Sequence, residues 1–303
     1  MTNKTGQIVR IIIASLAAVA FSVLLVLGIN GRLSLPSFFR KGEEHMITSV
    51  SRDASGIRDI QIDWRAGRVE VSKSADGNFH AAETSRYDVD PMLCTSDGGV
   101  LKIKQQTGFG FFFFGFGSRS STLTLQLPEK EYEAFQLKMS SGEGDVTGVN
   151  AVSQRFELTS GDLRVDTLHA DSLTAKLTSG QMTGTGISAQ KLDTGITSGK
   201  LSLSGAFSGI TAKCTSGRIT LSSSLVPDAL DVNITSGNVG VSIPDNDGFV
   251  LETSKTSGDI RSSFDLLSPI NDKSGRYVYK SDAAGRSYRV KLTSGDFTLD
   301  RTE

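Results

Sequence analysis

The sequence has only two cysteines, three histidines, six prolines and one tryptophan in 303 residues. Two cysteines cannot build a disulfide scaffold or a four-cysteine zinc site. His45, His80 and His169 leave little for metal or acid–base chemistry. Neither sign of charge is in excess: 32 basic and 33 acidic side chains give a net charge of −1. That balance lacks the basic surplus of a nucleic-acid binder, so no nucleic-acid partner is expected. No H-E-x-x-H, C-x-x-C or G-x-S-x-G phrase occurs. Gly184-Thr185-Gly186-Ile187-Ser188-Ala189 loosely fits a dinucleotide pattern, but that motif needs a strand before it and a helix after it. Here it sits inside a β-type repeat. No catalytic residue, cofactor or metal is predicted, and the protein is not expected to be an enzyme.

What is present begins with one long apolar run. Ile11 to Ile29 reads IIIASLAAVAFSVLLVLGI, without a charge. As a helix it would be about 28 Å long, enough to cross a bilayer. A buried core helix would need a polar face, and the run has none. A cleavable signal is disfavoured because Leu27-Gly28-Ile29-Asn30-Gly31-Arg32 offers no small-x-small site. The expectation is a single-pass anchor at 11–29, after a tail at 1–10 and before a linker at 30–45. Lys4 and Arg10 on one side are matched by Arg32, Arg40 and Lys41 on the other, so flanking charge does not set the orientation. The short N-terminus before a large domain suggests a cell-membrane protein whose C-terminal part is extracytoplasmic.

Beyond the linker a phrase recurs. Ser140-Ser141-Gly142 is followed by Thr-Ser-Gly triplets ending at Gly161, Gly180, Gly199, Gly217, Gly237, Gly258 and Gly295. The steps are close to nineteen residues, except the last, which is nearly two periods. A fixed period of this kind signals a solenoid. Three residues before the glycine stand Met139, Leu158, Leu177, Ile196, Cys214, Ile234 and Leu292; two after it stand Leu163, Met182, Leu201, Ile219, Val239, Ile260 and Phe297. Within each arm apolar residues recur every second position, the signature of a strand with one buried face. Across the triplet the spacing is odd, so a straight strand would turn the second arm's apolar set outward. The triplet must therefore be a corner, and glycine permits the positive φ such a bend needs. Thr and Ser of successive corners are expected to stack and hydrogen-bond. The predicted fold is an all-β, parallel β-solenoid with coils of about nineteen residues, right-handed because parallel crossovers nearly always are.

The template also fits Ile60, Ile62, Trp64, Gly67, Val69 and Val71, which places the first coil near residue 58 with a degenerate corner at Arg65-Ala66-Gly67. Residues 46–134 form an irregular N-terminal β part; 135–303 carry the regular repeats, interrupted at 262–287. Within that interruption Tyr277-Val278-Tyr279 and Tyr288-Arg289-Val290 read as a hairpin around Asp282-Ala283-Ala284-Gly285. An N-terminal anchor, a degenerate first rung and a run of T-S-G-[DNKR]-φ-x-φ coils resemble the bacterial putative-adhesin domain of unknown function. The resemblance covers about residues 45–303. It implies a membrane-anchored β-strand repeat protein of the bacterial envelope, in a family without established biochemistry.

Two surface features carry functional candidates. The column just after the corner glycine reads Glu143, Asp162, Gln181, Lys200, Arg218, Asn238, Asp259 and Asp296. Glu143 and Asp162 stack one coil apart, as a carboxylate pair would in a polysaccharide-active β-helix enzyme. The column then turns basic with no histidine or third acid, so the plain reading is a solvated face; Lys200 and Arg218 are the candidate contact for an anionic cell-wall polymer. The second feature is the loop 108–117, where Phe109, Phe111, Phe112, Phe113, Phe114 and Phe116 stand between glycines. It either caps the solenoid's open end or reaches a membrane or an envelope protein partner; Phe112 and Phe113 cannot both point inward on one strand. Cys214 takes a core slot and reads as a small hydrophobe. Cys94 is far away in sequence and is not expected to pair with it. Trp64 reads as core and His169 as surface. The favoured function is a non-enzymatic, adhesin-like scaffold or binding module of the envelope. A self-assembling scaffold, pairing through an open edge after Leu299, is the alternative, with the enzyme behind it.

Overall fold

The computed structural model describes residues 43–106 and 120–302; the segment 11–29 and the Phe-rich loop lie outside the described residues. Among these, no helix is long and apolar enough to cross a membrane. The described chain is all-β. Its first strands are β1 (His45–Asp53), β2 (Asp59–Trp64), β3 (Gly67–Lys73), β4 (Asn78–Ser85), β5 (Leu93–Asp97), β6 (Val100–Lys104) and β7 (Ser121–Leu127). The regular repeats follow as β8 (Glu131–Met139), β9 (Glu143–Thr147), β10 (Asn150–Leu158), β11 (Asp162–Asp166), β12 (His169–Leu177), β13 (Gln181–Ile196) and β14 (Lys200–Cys214). Next come β15 (Arg218–Ser223), β16 (Ala229–Ile234) and β17 (Asn238–Ile243). The end is built from β18 (Phe249–Lys255), β19 (Asp259–Ser262), β20 (Ser274–Tyr279), β21 (Ser287–Leu292) and β22 (Asp296–Arg301).

Each coil has two arms, and both arms stack in parallel on those of the next coil. Phe135, Gln154, Leu173, Leu192 and Ile210 lie in one register row, and so do Gly144, Leu163, Met182, Leu201 and Ile219. The inward columns read from the sequence are the core: Trp64, Leu173, Leu201 and Phe297 are all essentially inaccessible. A few inward slots are polar, Gln105, Gln154, Thr194 and Thr253 among them. Gln154 donates to the Val149 and His169 carbonyls, both at 2.9 Å, while its own Oε1 has no partner.

The order of coils in space differs from their order in the chain. The coil β6–β7 stacks outside β2–β3, while β8–β9 packs on the other face of β2–β3. At the far end β21–β22 lies between β16–β17 and β18–β19. Ten coils therefore run β6–β7, β2–β3, β8–β9, then in chain order to β16–β17, then β21–β22 and last β18–β19. The stretch 46–134, read as irregular, supplies two of these coils and a cap.

Three expectations are corrected here. Tyr277–Tyr279 and Tyr288–Val290 do not form a hairpin: β20 pairs antiparallel with one edge of β18, and β21 pairs parallel with its other edge. A β20–β21 hairpin would leave a β18 edge without hydrogen-bond partners. The coil ending at Leu299 has no open edge, since β22 is paired on both sides. Finally, Asp296 precedes Asp259 in the outward column. Three of the four arms of the end coils are covered by a further strand, and the outer edge of β19 has no strand partner among the described residues. At one end β4 lies antiparallel on β7, β1 on β4, and β5 on β6. At the other, Phe249 stacks on Tyr288 with ring centroids 4.7 Å apart and meets Phe264 edge-on at 5.2 Å.

Candidate functional site

The Thr-Ser-Gly corners line up as a ridge between the two arms. Its hydrogen bonds are backbone ones: Thr178 N–H donates to the Leu158 carbonyl at 2.9 Å, Ser179 N–H to the Thr159 carbonyl at 2.8 Å, and the pattern repeats coil by coil. Apart from Ser141 Oγ, which donates to the Arg65 carbonyl at 3.0 Å, the ridge hydroxyls are thereby left for solvent. Thr159, Thr178, Thr197, Thr215, Thr235 and Thr293 are all exposed, and no ridge hydroxyl bonds to another among the described residues. The expected hydroxyl ladder is replaced by a peptide ladder. Its glycines are required for close approach as well as for φ. A Cβ on Gly217, whose φ is not positive, would still lie 2.5 Å from the Gly199 carbonyl oxygen.

The outward column beside the ridge reads Arg68, Glu143, Asp162, Gln181, Lys200 and Arg218 in space. At its acidic end Arg68 holds Glu143 at 3.3 Å and Asp145 at 2.8 Å, and Arg164 reaches Asp145 at 3.4 Å. Glu143 is thus ion-paired, and the Glu143–Asp162 stack is part of a surface network. Lys200 and Arg218 are direct register partners, both exposed, and neither meets a carboxylate among the described residues. Ser202 and Thr220 flank them one row further out. On the other side of the ridge lies a groove of about 420 Å³ lined by Lys138, Glu157, Lys176, Gly195 and Lys213 together with ridge threonines. The sequence reading missed these lysines, although each stands four residues before its corner glycine in coils that stack in chain order; it aligned the outward column after the glycine and not the one before it.

Phe109, Phe111, Phe112, Phe113, Phe114 and Phe116 are outside the described residues, but the two ends of their loop are well placed. Gln105 occupies the inward slot that Trp64 fills in the next coil, and Ser121 pairs with Gly67. Gln105 and Ser121, on either side of the loop, therefore stand where the other coils have the two ends of their corner. The base of the loop is a buried polar clamp. Gln105 Nε2 donates to the Ala66 carbonyl and to Ser121 Oγ, both at 2.8 Å, and its Oε1 accepts from the Arg65 and Ala66 N–H groups at 2.9 Å. Ser121 Oγ donates to Glu83 Oε1 at 2.7 Å, and Glu83 Oε2 accepts the Met92 N–H at 2.6 Å. Every polar atom of the Gln105 amide is satisfied.

The remaining candidates fall where expected or carry no chemistry. Cys214 is buried and free, and burial pushes its thiol pKa up; Cys94 is also free and half-buried. Trp64 is core, donating from its indole to the Ser121 carbonyl at 3.2 Å, and His169 is exposed. Gly184–Ala189 lies within β13, with no helix after it. No group of three His, Cys, Asp or Glu side chains among the described residues is placed to hold a metal.

A capped, all-β stack of parallel coils with an exposed hydroxyl ridge defines a solenoid-like repeat protein. The chain belongs to the Toastrack DUF4097 family, which it matches over residues 57–300. Solved structures with similar folds include a "putative adhesin" of Bacteroides fragilis, 12% identical, with a TM-score of 0.46 over 84% of this chain and 96% of that one. Another is a "putative cell adhesion protein" of Clostridium sporogenes, 12% identical, with a TM-score of 0.32 over 86% of this chain and 100% of that one. A third is a "putative lipid binding protein" of Parabacteroides distasonis, 13% identical, with a TM-score of 0.42 over 84% and 96%. No curated protein matches the chain.

Proposed function

We propose that the protein is a non-enzymatic, adhesin-like binding module of the cell envelope, held to the membrane by residues 11–29, with its right-handed solenoid outside the cytoplasm. The observation that carries this reading is the ridge: Lys200 and Arg218 sit side by side without carboxylate partners, beside rows of exposed hydroxyls. Such a surface suits an anionic envelope polymer that brings both negative charge and hydrogen-bonding groups. Arg adds planar, bidentate recognition of carboxylate or phosphate. The Phe-rich loop, whose flanking residues Gln105 and Ser121 stand beside the same ridge, serves as a contact to an apolar surface, where each inserted ring adds about 1.5–3 kcal/mol.

Binding of the full chain to isolated anionic wall polymer tests the ridge. The Lys200→Ser/Arg218→Ser variant should bind more weakly with an unchanged melting temperature; wild-type binding by this variant refutes the ridge contact. For the loop, Phe111, Phe112, Phe113 and Phe114 are replaced together by serine. Lost liposome or partner binding at unchanged thermal stability is expected, and a collapse in melting temperature assigns the loop to the cap instead. Protease added to intact spheroplasts should digest residues 46–303, and protection until lysis would refute export.

A further inference from the structure

Four residues before each corner glycine, the chain presents an outward side chain on the first arm. Placed in spatial order, this column alternates without exception. Lys104, Lys138, Lys176, Lys213 and Lys291 occupy every second coil. Asp63, Glu157, Gly195, Asn233 and Ser254 occupy the coils between. In chain order the pattern is broken, because Lys104 follows Asp63 and precedes Lys138, and Ser254 comes before Lys291. Only the interleaved stacking of the end coils makes it regular.

All five lysines are exposed and none forms an ion pair among the described residues. Coils stack at about 4.8 Å, so the ammonium groups recur at roughly 9.6 Å over a track of about 38 Å. Of the two acids in the column, Glu157 is held by Arg155. From Lys176 to Lys291 no acid intervenes. At Gly195 the column has no side chain, which opens the groove between Lys176 and Lys213. The neighbouring outward row, two residues earlier, shows no such order. Its charged members are Lys102, Arg155, Asp193, Asp231, Arg289 and Glu252, with Asp231 and Glu252 drawn to Arg289 at 4.0 and 3.7 Å. Asp193 is its one acid beside the lysines without an ion pair among the described residues.

We infer that this ladder is a track for a linear acidic polysaccharide that lies along the solenoid axis and carries one negative group per disaccharide. The length of an extended disaccharide matches two coils, so each acidic group meets a lysine and each neutral sugar lies over an intervening residue. The exposed ridge threonines beside the track supply donors and acceptors to sugar hydroxyls. A polymer with a charge on every unit would set one of its charges against Asp63, which has no ion pair among the described residues, where like charges repel. The inference deepens the binding-module reading and rests on it, by naming the polymer class and its direction.

The test uses the full chain in neutral detergent and hyaluronan oligosaccharides of increasing length, which carry one carboxylate per disaccharide. Affinity should rise with each added disaccharide until the ladder is filled, and then level off. Lys176→Gln/Lys213→Gln, which removes two exposed charge contacts, should weaken binding by about two- to thirtyfold. Gly195→Glu, which sets a carboxylate between those lysines, should weaken it similarly, and Lys191→Gln should not. Unchanged melting temperatures show that the variants fold. Affinity independent of length, or ladder variants that bind like wild type while Lys200→Ser/Arg218→Ser does not, overturns the ladder and leaves the ridge reading standing. No binding of any polyanion at low salt overturns both. Tighter binding of polygalacturonate or polyphosphate than of hyaluronan overturns the assigned charge repeat.

Discussion

If β21–β22 is truly an interior coil, Asn238 must neighbour Asp296, and Asp259 must be one coil further away. A cysteine pair tests this in a background of Cys94→Ser and Cys214→Val. Adjacent parallel strands bring Cα atoms to about 4.8 Å, within the roughly 4.4–6.8 Å that a disulfide spans. Two coils apart the separation is about 9.6 Å, which is too far. Asn238→Cys/Asp296→Cys should therefore oxidise readily, and Asn238→Cys/Asp259→Cys should stay reduced. The closed loop spans about 58 residues, for which chain entropy gives a stabilisation of roughly 4 kcal/mol. At about 2–4 °C per kcal/mol for a unit of this size, the melting temperature should rise by roughly 8–15 °C and fall back on reduction. Non-reducing electrophoresis and thermal melts read both effects. Preferential closure of Asn238→Cys/Asp259→Cys would show that the coils stack in chain order and that the interleaved arrangement is wrong.

Gly180→Ala should cost about 2–4 kcal/mol, because it combines a positive φ with a Cβ driven into the Gly161 carbonyl; Gly77→Ala, which meets nothing, should be neutral in the same denaturant titration. Gln105→Leu leaves buried partners in the loop clamp unsatisfied and should cost roughly 2–5 kcal/mol by denaturant titration. Cys214→Val should be nearly silent and Cys214→Asp should cost several kcal/mol, while the native thiol, its pKa raised by burial, reacts slowly with thiol reagents at neutral pH. The hydrogen bonds from Tyr279 and Lys280 hold the Asp245 carboxylate at a pKa of about 2. Their contribution is full above the unfolded value of about 3.9 and is lost as pH falls through about 2. An NMR titration should show that acid step at Asp245, and Asp245→Asn should abolish it.

The strand arms, their inward columns and the corners are legible in the amino-acid pattern alone. Period-two apolarity on either side of a glycine leaves one way to bury both arms, and Leu158, Leu177 and Ile196 sit where that pattern places them. It also marked Lys200 and Arg218 as neighbours, because their coils are consecutive both in the chain and in space. Which coils meet at the ends is settled in three dimensions. Any coil with the same inward columns offers the same backbone ladder to its neighbour, so the repeat carries no information on order. The choice falls to the strands that cover the open edges. Antiparallel β4 and β5 cover β7 and β6, and β20 with Phe264 closes over β18. Capping therefore sends β6–β7 outward and draws β21–β22 inward, and that exchange alone brings Lys104 and Lys291 into step with Lys138, Lys176 and Lys213.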